Sequence, residues 1–119
     1  MVGSKQYVPD AGDVVWISFN PQSGHGQAGR RPALVLSPIA YNRKVGLALL
    51  CPITSQVKGY PFEVHLPDGL PAKGVILADQ VKNLDWKTRH VEPMGNVPTA
   101  VVDEVLAKLM TLLQISDSR

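Results

Sequence analysis

Residues 29–64 read GRRPALVLSPIAYNRKVGLALLCPITSQVKGYPFEV, and two apolar runs stand out in them, Pro32–Ser37 and Gly46–Ile53. Both are bounded by Gly, Pro, Asn and Ser, too short for helices and rich in branched residues, so each predicts a buried strand, the two joined by a basic loop. Polar groups gather at one end of each run. Arg30 and Arg31 precede the first, and Thr54, Ser55, Gln56 and Lys58 follow the second. A connection this short implies antiparallel pairing, which lays the start of the first strand beside the end of the second. Arg31 is thereby expected next to Thr54.

Working outward, no Asp or Glu occurs from Val14 to Phe62, while Arg30, Arg31, Arg43, Lys44 and Lys58 all fall there. The total charge of +2 hides this cationic interval. A local basic face suits a polyanion such as RNA or DNA, and equally suits a solvated surface; five charges do not separate the two. Upstream, Gly12–Phe19 alternates as a first strand, with Val14, Trp16 and Ser18 on one face and Val15, Ile17 and Phe19 on the other. Asn20–Gly29 is a Gly-rich loop. Downstream, Tyr60–Leu66 reads as a strand in which Pro61 marks an edge or a strand start, Val75–Ala78 as a buried strand ending at Asp79 and Gln80, and Lys87–Val91 as a last short strand. Six short strands with Gly and Pro punctuation predict a small barrel.

From Pro98 the period changes. Val102, Val105, Leu106, Leu109, Leu112 and Leu113 recur at helical spacing, Pro98 suits a first turn, and Asp103 and Glu104 are placed near the positive end. This amphipathic helix packs on the barrel or joins a dimer interface; the pattern serves both. Residues 1–6 and 116–119 read as flexible ends of a single domain spanning 7–115. With 45% hydrophobic and 18% charged residues the chain is globular rather than disordered. The single cysteine, Cys51, cannot form an internal disulfide and reads as a core residue. No signal peptide or long apolar span is present, which predicts a cytoplasmic protein with no membrane role. His25, His65 and His90 are far apart and no CxxC, HExxH, P-loop or GxGxxG motif occurs, so neither metal nor cofactor is expected.

Tyr7–Asp10, Gly12-Asp13, Gly29–Pro32 leading into Val35–Pro38, Tyr41-Asn42, Lys58–Val64 and Leu77–Lys82 together resemble the MazF toxins of bacterial toxin–antitoxin systems, with the Kid and PemK toxins as close relatives. No single motif suffices; the order and spacing carry the resemblance from Tyr7 to the C-terminal helix. It implies an SH3-like barrel with a C-terminal helix, a homodimer, and an endoribonuclease acting on single-stranded RNA under the restraint of a cognate antitoxin. That antitoxin would carry an acidic, flexible segment across the cationic face. Cleavage would need no metal, because the RNA's 2′-hydroxyl can attack the adjacent phosphate and leave 2′,3′-cyclic phosphate and 5′-hydroxyl ends.

The resemblance places Arg31 and Thr54 at the catalytic centre. Guanidinium is planar, permanently charged and able to grip two phosphoryl oxygens, and a threonine hydroxyl can donate to the same group. Arg30 is equally charged, and alignment to Pro32, not physics, selects Arg31. Arg30, Asn42, Arg43, Lys44, Gln56, Lys58, Tyr60, Asp79 and Gln80 are RNA-contact candidates, the cations for phosphates and the amides for base edges, with ordinary loop solvation as the competing reading for each. Tyr60 and Trp86 suit stacking or packing. His25 has the acidity of a general base but no carboxylate nearby in sequence to orient it, so solvation is the simpler reading. Familiar relatives carry acidic residues in this loop where Asn20 and Gly26 stand here. A second reading of the same barrel is a CcdB-like gyrase poison; the end Leu113–Arg119 lacks the aromatic residue such a role uses.

Overall fold

The computed structural model describes residues 6–19 and 29–115. Among these, seven strands and two helices run in the order β1 (Asp13–Ser18), β2 (Arg30–Val35), α1 (Ile39–Val45), β3 (Leu47–Thr54), β4 (Glu63–His65), β5 (Val75–Leu77), β6 (Lys82–Asp85), β7 (Glu92–Asn96) and α2 (Thr99–Met110). The strands form a curved, barrel-like antiparallel sheet in the order β4-β5-β3-β2-β1-β7, with β6 also on β3.

β3 is the organising strand. One edge pairs with β2, Ala33 opposite Pro52 and Val35 opposite Leu50. The other edge is shared: Leu47–Leu50 face Lys82–Asp85 of β6, and Ile53 and Thr54 face Ile76 and Val75 of β5. The change of partner falls at Cys51 and Pro52, and Pro52 has no N–H to offer a ladder. Chain 78–81 crosses that break, and so the sheet opens there.

The sheet is apolar on both faces. Val14, Leu34, Cys51, Ile53, Val64, Ile76 and Val105 fill one side, and Val15, Ile17, Ala33, Val35, Ala48, Leu50 and Trp86 the other. Burial on both faces explains why β2 and β3 read as continuous apolar runs instead of alternating ones. Each fully buried Leu or Ile contributes about 1.5–3 kcal/mol.

Several sequence expectations are corrected. The basic loop contains α1, whose first N–H, at Ile39, donates to Asp10 Oδ1 at 2.9 Å and whose end is closed by Gly46 at φ 80°. Lys87–Val91 is not a strand. The backbone N–H of Thr88 donates to Asp85 Oδ1 at 3.2 Å and His90 takes φ 56°, so a tight turn separates β6 from β7 and gives seven strands, not six. Ordered pairing in Tyr60–Leu66 is confined to Glu63–His65. α2 ends at Met110, leaving Leu112 and Leu113 exposed beyond it, and no acidic residue lies in its first turn, so Asp103 and Glu104 do not serve its positive end.

Candidate functional site

A cavity of about 660 Å³ opens where β3 changes partner. Its floor continues a single sheet face. Phe19, Arg31, Pro52 and Thr54 line it, each in step with the residues of the second core, Val15, Ile17, Ala33 and Leu50. Gln56, Lys58 and Tyr60 supply one wall, Gln80 and Lys82 the other, with Glu63 and Leu77 between.

The pairing of β2 with β3 brings Arg31 and Thr54 onto this floor together, as the short connection predicts. Alternation also separates the two arginines. Arg31 faces the cavity and is exposed, whereas Arg30 forms an ion pair with Glu92 of β7. Strand parity thus places Arg31, and not Arg30, on the cavity floor. Thr54 Oγ accepts the backbone N–H of Gln56 at 3.1 Å, which fixes the hydroxyl and leaves its own proton to be donated.

Of the other sequence candidates, Gln56, Lys58, Tyr60 and Gln80 line the cavity. Tyr60 donates its hydroxyl to Asp79 Oδ2 at 2.5 Å, and that bond holds the phenol above its usual range. The Tyr60 ring stays exposed, tilted on Phe62 with centroids 5.8 Å apart. Asp79 itself lies behind Tyr60, outside the lining, with Oδ1 buried and unpartnered among the described residues. Arg43 and Lys44 are exposed on α1 but do not line the cavity.

Asn42 is a correction. Its side chain is 0% exposed, its amide donates to the carbonyls of Pro9 (2.7 Å) and Ser37 (3.0 Å), and its Oδ1 accepts from Ser37 Oγ at 2.6 Å. No part of it is free to read a base. Trp86 is likewise buried, its indole N–H on the Asn42 carbonyl at 3.0 Å, so the packing reading holds and stacking does not. His25 and the loop reading of 20–28 lie outside the described residues, as do the ends 1–5 and 116–119.

Phe19, Pro52, Ile53, Glu63, Leu77 and Lys82 also line the cavity and are not among the sequence candidates; three of them bear on what it can hold. Phe19 shares the parity of Val15 and Ile17, a signal already present. Lys82 begins β6, a strand too polar to be recognised. Glu63 is buried, and its carboxylate accepts the backbone N–H groups of Lys58 and Gly59, each at 3.0 Å. The cavity therefore presents Arg31, Lys58 and Lys82 against one acid whose charge is already engaged. Such a lining favours a ligand with several phosphates and room for a flat ring. Among the described residues no group of three or more His, Cys, Asp or Glu is gathered as if for a metal ion.

Residues 10–113 match the family model described as the PemK-like, MazF-like toxin of type II toxin–antitoxin systems. The chain belongs to this family. It is 48% identical over 108 residues to the endoribonuclease toxin MazF of Escherichia coli K12, covering 91% of this chain and 96% of that one. The crystal structure of MazF from Deinococcus radiodurans superposes with a TM-score of 0.84 at 55% identity, over 92% of this chain and 100% of the other. A MazE–MazF crystal structure from the same organism gives 0.82 at 51%, over 93% and 100%. Membership in the PemK/MazF family accounts for the barrel-like sheet and C-terminal helix together. Among the described residues no helix is long and apolar enough to cross a membrane.

Proposed function

We propose that this protein is the toxin of a type II toxin–antitoxin system, an endoribonuclease that cuts single-stranded RNA at specific sequences and so stops translation and growth. The observation that carries this reading is the convergence of Arg31 and Thr54 on one cavity floor between lysine-bearing walls. Its relatives named as endoribonucleases, aligned over nearly the whole chain, support it.

The reaction needs no metal, because the nucleophile is the RNA's own 2′-hydroxyl. That oxygen attacks the adjacent phosphorus, the 5′-oxygen of the next nucleotide leaves, and the products carry a 2′,3′-cyclic phosphate and a 5′-hydroxyl. Arg31 grips two phosphoryl oxygens as negative charge builds on them, and the Thr54 hydroxyl donates its remaining proton to the same group. Lys58 and Lys82 hold the flanking phosphates, Gln56 and Gln80 offer amides to unpaired bases, and the exposed Tyr60 ring offers a stacking surface. Holding the strand so that attacking oxygen, phosphorus and leaving oxygen lie in line is itself a large part of the rate.

The toxin acts in the cytoplasm as a homodimer, to which the exposed Leu106 and Met110 of α2 offer an apolar surface. A cognate antitoxin restrains it by laying an acidic flexible segment over the cavity; the MazE–MazF structure of D. radiodurans supports a partner of this kind. The gyrase-poison alternative is not favoured, since the aligned relatives are named endoribonucleases.

The test is incubation of the purified protein with a long single-stranded RNA in EDTA, followed by mapping of cut sites and end chemistry. Discrete cuts bearing 2′,3′-cyclic phosphate and 5′-hydroxyl ends are expected. An RNA left intact with and without divalent metal would sink the reading.

A further inference from the structure

Residues 55–60, which bring Gln56, Lys58 and Tyr60 to the cavity wall, are all exposed, so apart from the Tyr60 ring on Phe62 little hydrophobic packing fixes their shape. Their shape rests on hydrogen bonds. One end is held by the Gln56 N–H on Thr54 Oγ, and the Tyr60 carbonyl accepts the Glu63 N–H at 3.0 Å. Between these, the backbone N–H groups of Lys58 and Gly59 both point at Glu63, one to each carboxylate oxygen. Gly59 sits at φ 78°, a conformation that lets two successive N–H groups converge on one acceptor.

We propose that Glu63 is a positioning residue for RNA binding, acting through Lys58 and Tyr60. Its anchored carboxylate turns the backbone on either side of Gly59 so that both side chains face the cavity. This inference rests on the ribonuclease reading above and assigns a duty within it to a residue otherwise legible only as a buried acid. Charge supports it. A bare carboxylate in a cavity meant for phosphates would repel them, and two N–H donors offset part of that charge. Burial separates this duty from proton transfer: Glu63 is 9% exposed and both its oxygens are already engaged by the loop it holds.

Glu63→Gln tests this at constant shape, because an amide nitrogen cannot accept the second N–H. Cleavage kinetics on an RNA oligonucleotide containing a mapped cut site, and binding of the same oligonucleotide with a 2′-deoxy residue at the cut, are measured beside melting temperature and amide hydrogen exchange. The expected result is a KM and Kd raised about tenfold, the factor that accompanies loss of one hydrogen bond to a charged group, with kcat little changed. Exchange should accelerate at Lys58 and Gly59. In a Lys58→Ala background the Glu63→Gln penalty should shrink markedly, because its effect travels partly through that lysine. Gly59→Ala, whose added Cβ meets nothing within 4 Å, strains the same turn without touching the core and should raise KM in the same way should Glu63→Gln fail to fold.

A kcat loss of a hundredfold at unchanged KM overturns the inference and makes Glu63 a participant in chemistry. Unchanged KM and unchanged exchange in an active protein overturn it alone. A wild-type chain that neither cuts nor binds RNA removes the underlying reading and the inference with it.

Discussion

Gly74 lies against the backbone of Thr54 so closely that a Cβ at position 74 would stand 2.0 Å from the Thr54 carbonyl oxygen. Gly74 also takes φ 113°, open to glycine and strained for any other residue. Gly74→Ala must therefore either push Thr54 out of register with Arg31 or distort the approach to β5. The variant should lose more than about 1 kcal/mol of stability and most of its RNA cleavage. Thermal unfolding and a cleavage assay on the same sample check both halves.

Arg31 is exposed, so its side chain contributes little to the fold and much to the charge on the floor. By analogy with loss of one donor to a developing oxyanion, Arg31→Ala should lower kcat by about 10²–10³ with melting unchanged. Thr54→Ser keeps a hydroxyl and should keep most activity, whereas Thr54→Val removes the donor and should not. Full activity in a well-folded Arg31→Ala would remove it from the chemistry.

Asn42 and its neighbours on α1 should behave as opposites. Asn42→Ala strands the buried carbonyl of Pro9 and the Ser37 hydroxyl, a loss on the order of 2–4 kcal/mol. Any Asn42→Ala protein still folded in the cold should bind RNA as tightly as wild type. Arg43→Ala and Lys44→Ala should leave the melting temperature where it was. Denaturant unfolding alongside RNA titration distinguishes these cases.

Lys58 and Lys82 face the cavity from opposite walls. If each neutralises one phosphate, Lys58→Ala or Lys82→Ala should flatten the slope of log affinity against log salt by about 0.7, the single-strand value per contact. Binding of a 2′-deoxy-blocked RNA across a salt series measures it. A slope that does not change clears that lysine of phosphate contact.

Burial first, and the charge of Asp79 second, push the Cys51 thiol from its ordinary range up to about 12. Between pH 9 and 12 the unfolded chain has lost this proton and the folded one still holds it, so stability falls as pH rises, by up to about 1.4 kcal/mol per unit. Tyr7, raised by burial and then by its bond to Asp13, acts in the same direction at higher pH. Denaturant midpoints should drop through this window, and less so in Cys51→Ala when each protein is referred to its own value at neutral pH. Iodoacetamide at neutral pH should label Cys51 only after unfolding.

How much of this was legible beforehand depends on where each residue finds its partners. β1 to β3 were readable because their apolar runs and the short connection are local signals, and the meeting of Arg31 with Thr54 followed from pairing alone. α1 was hidden because it is seven residues long, carries Arg43 and Lys44, and receives its first-turn acceptor from Asp10, 29 positions away. Asn42 looked like a surface amide for the same reason: Pro9 and Trp86, which bury and bond it, are remote in sequence. β6 reads Lys-Asn-Leu-Asp, with no apolar period to betray it, and concealing the strand concealed Lys82. Glu63 lies within the Lys58–Val64 motif, yet nothing linear says that an acid there will turn back to hold the two residues before Tyr60.

The shared outer edge of β3 has a consequence for the cell that makes this protein. Arg31 and Thr54 are synthesised early, but the strands that wall the cavity, β5 and β6, come later, and Lys82 is later than every other residue lining it. A chain halted before that point carries Arg31, Thr54 and the wall that bears Lys58, but lacks the facing wall of Gln80 and Lys82. The cavity is thus complete only after β5 and β6 have been made and have paired with β3, so the order of synthesis leaves its second lysine-bearing wall until last.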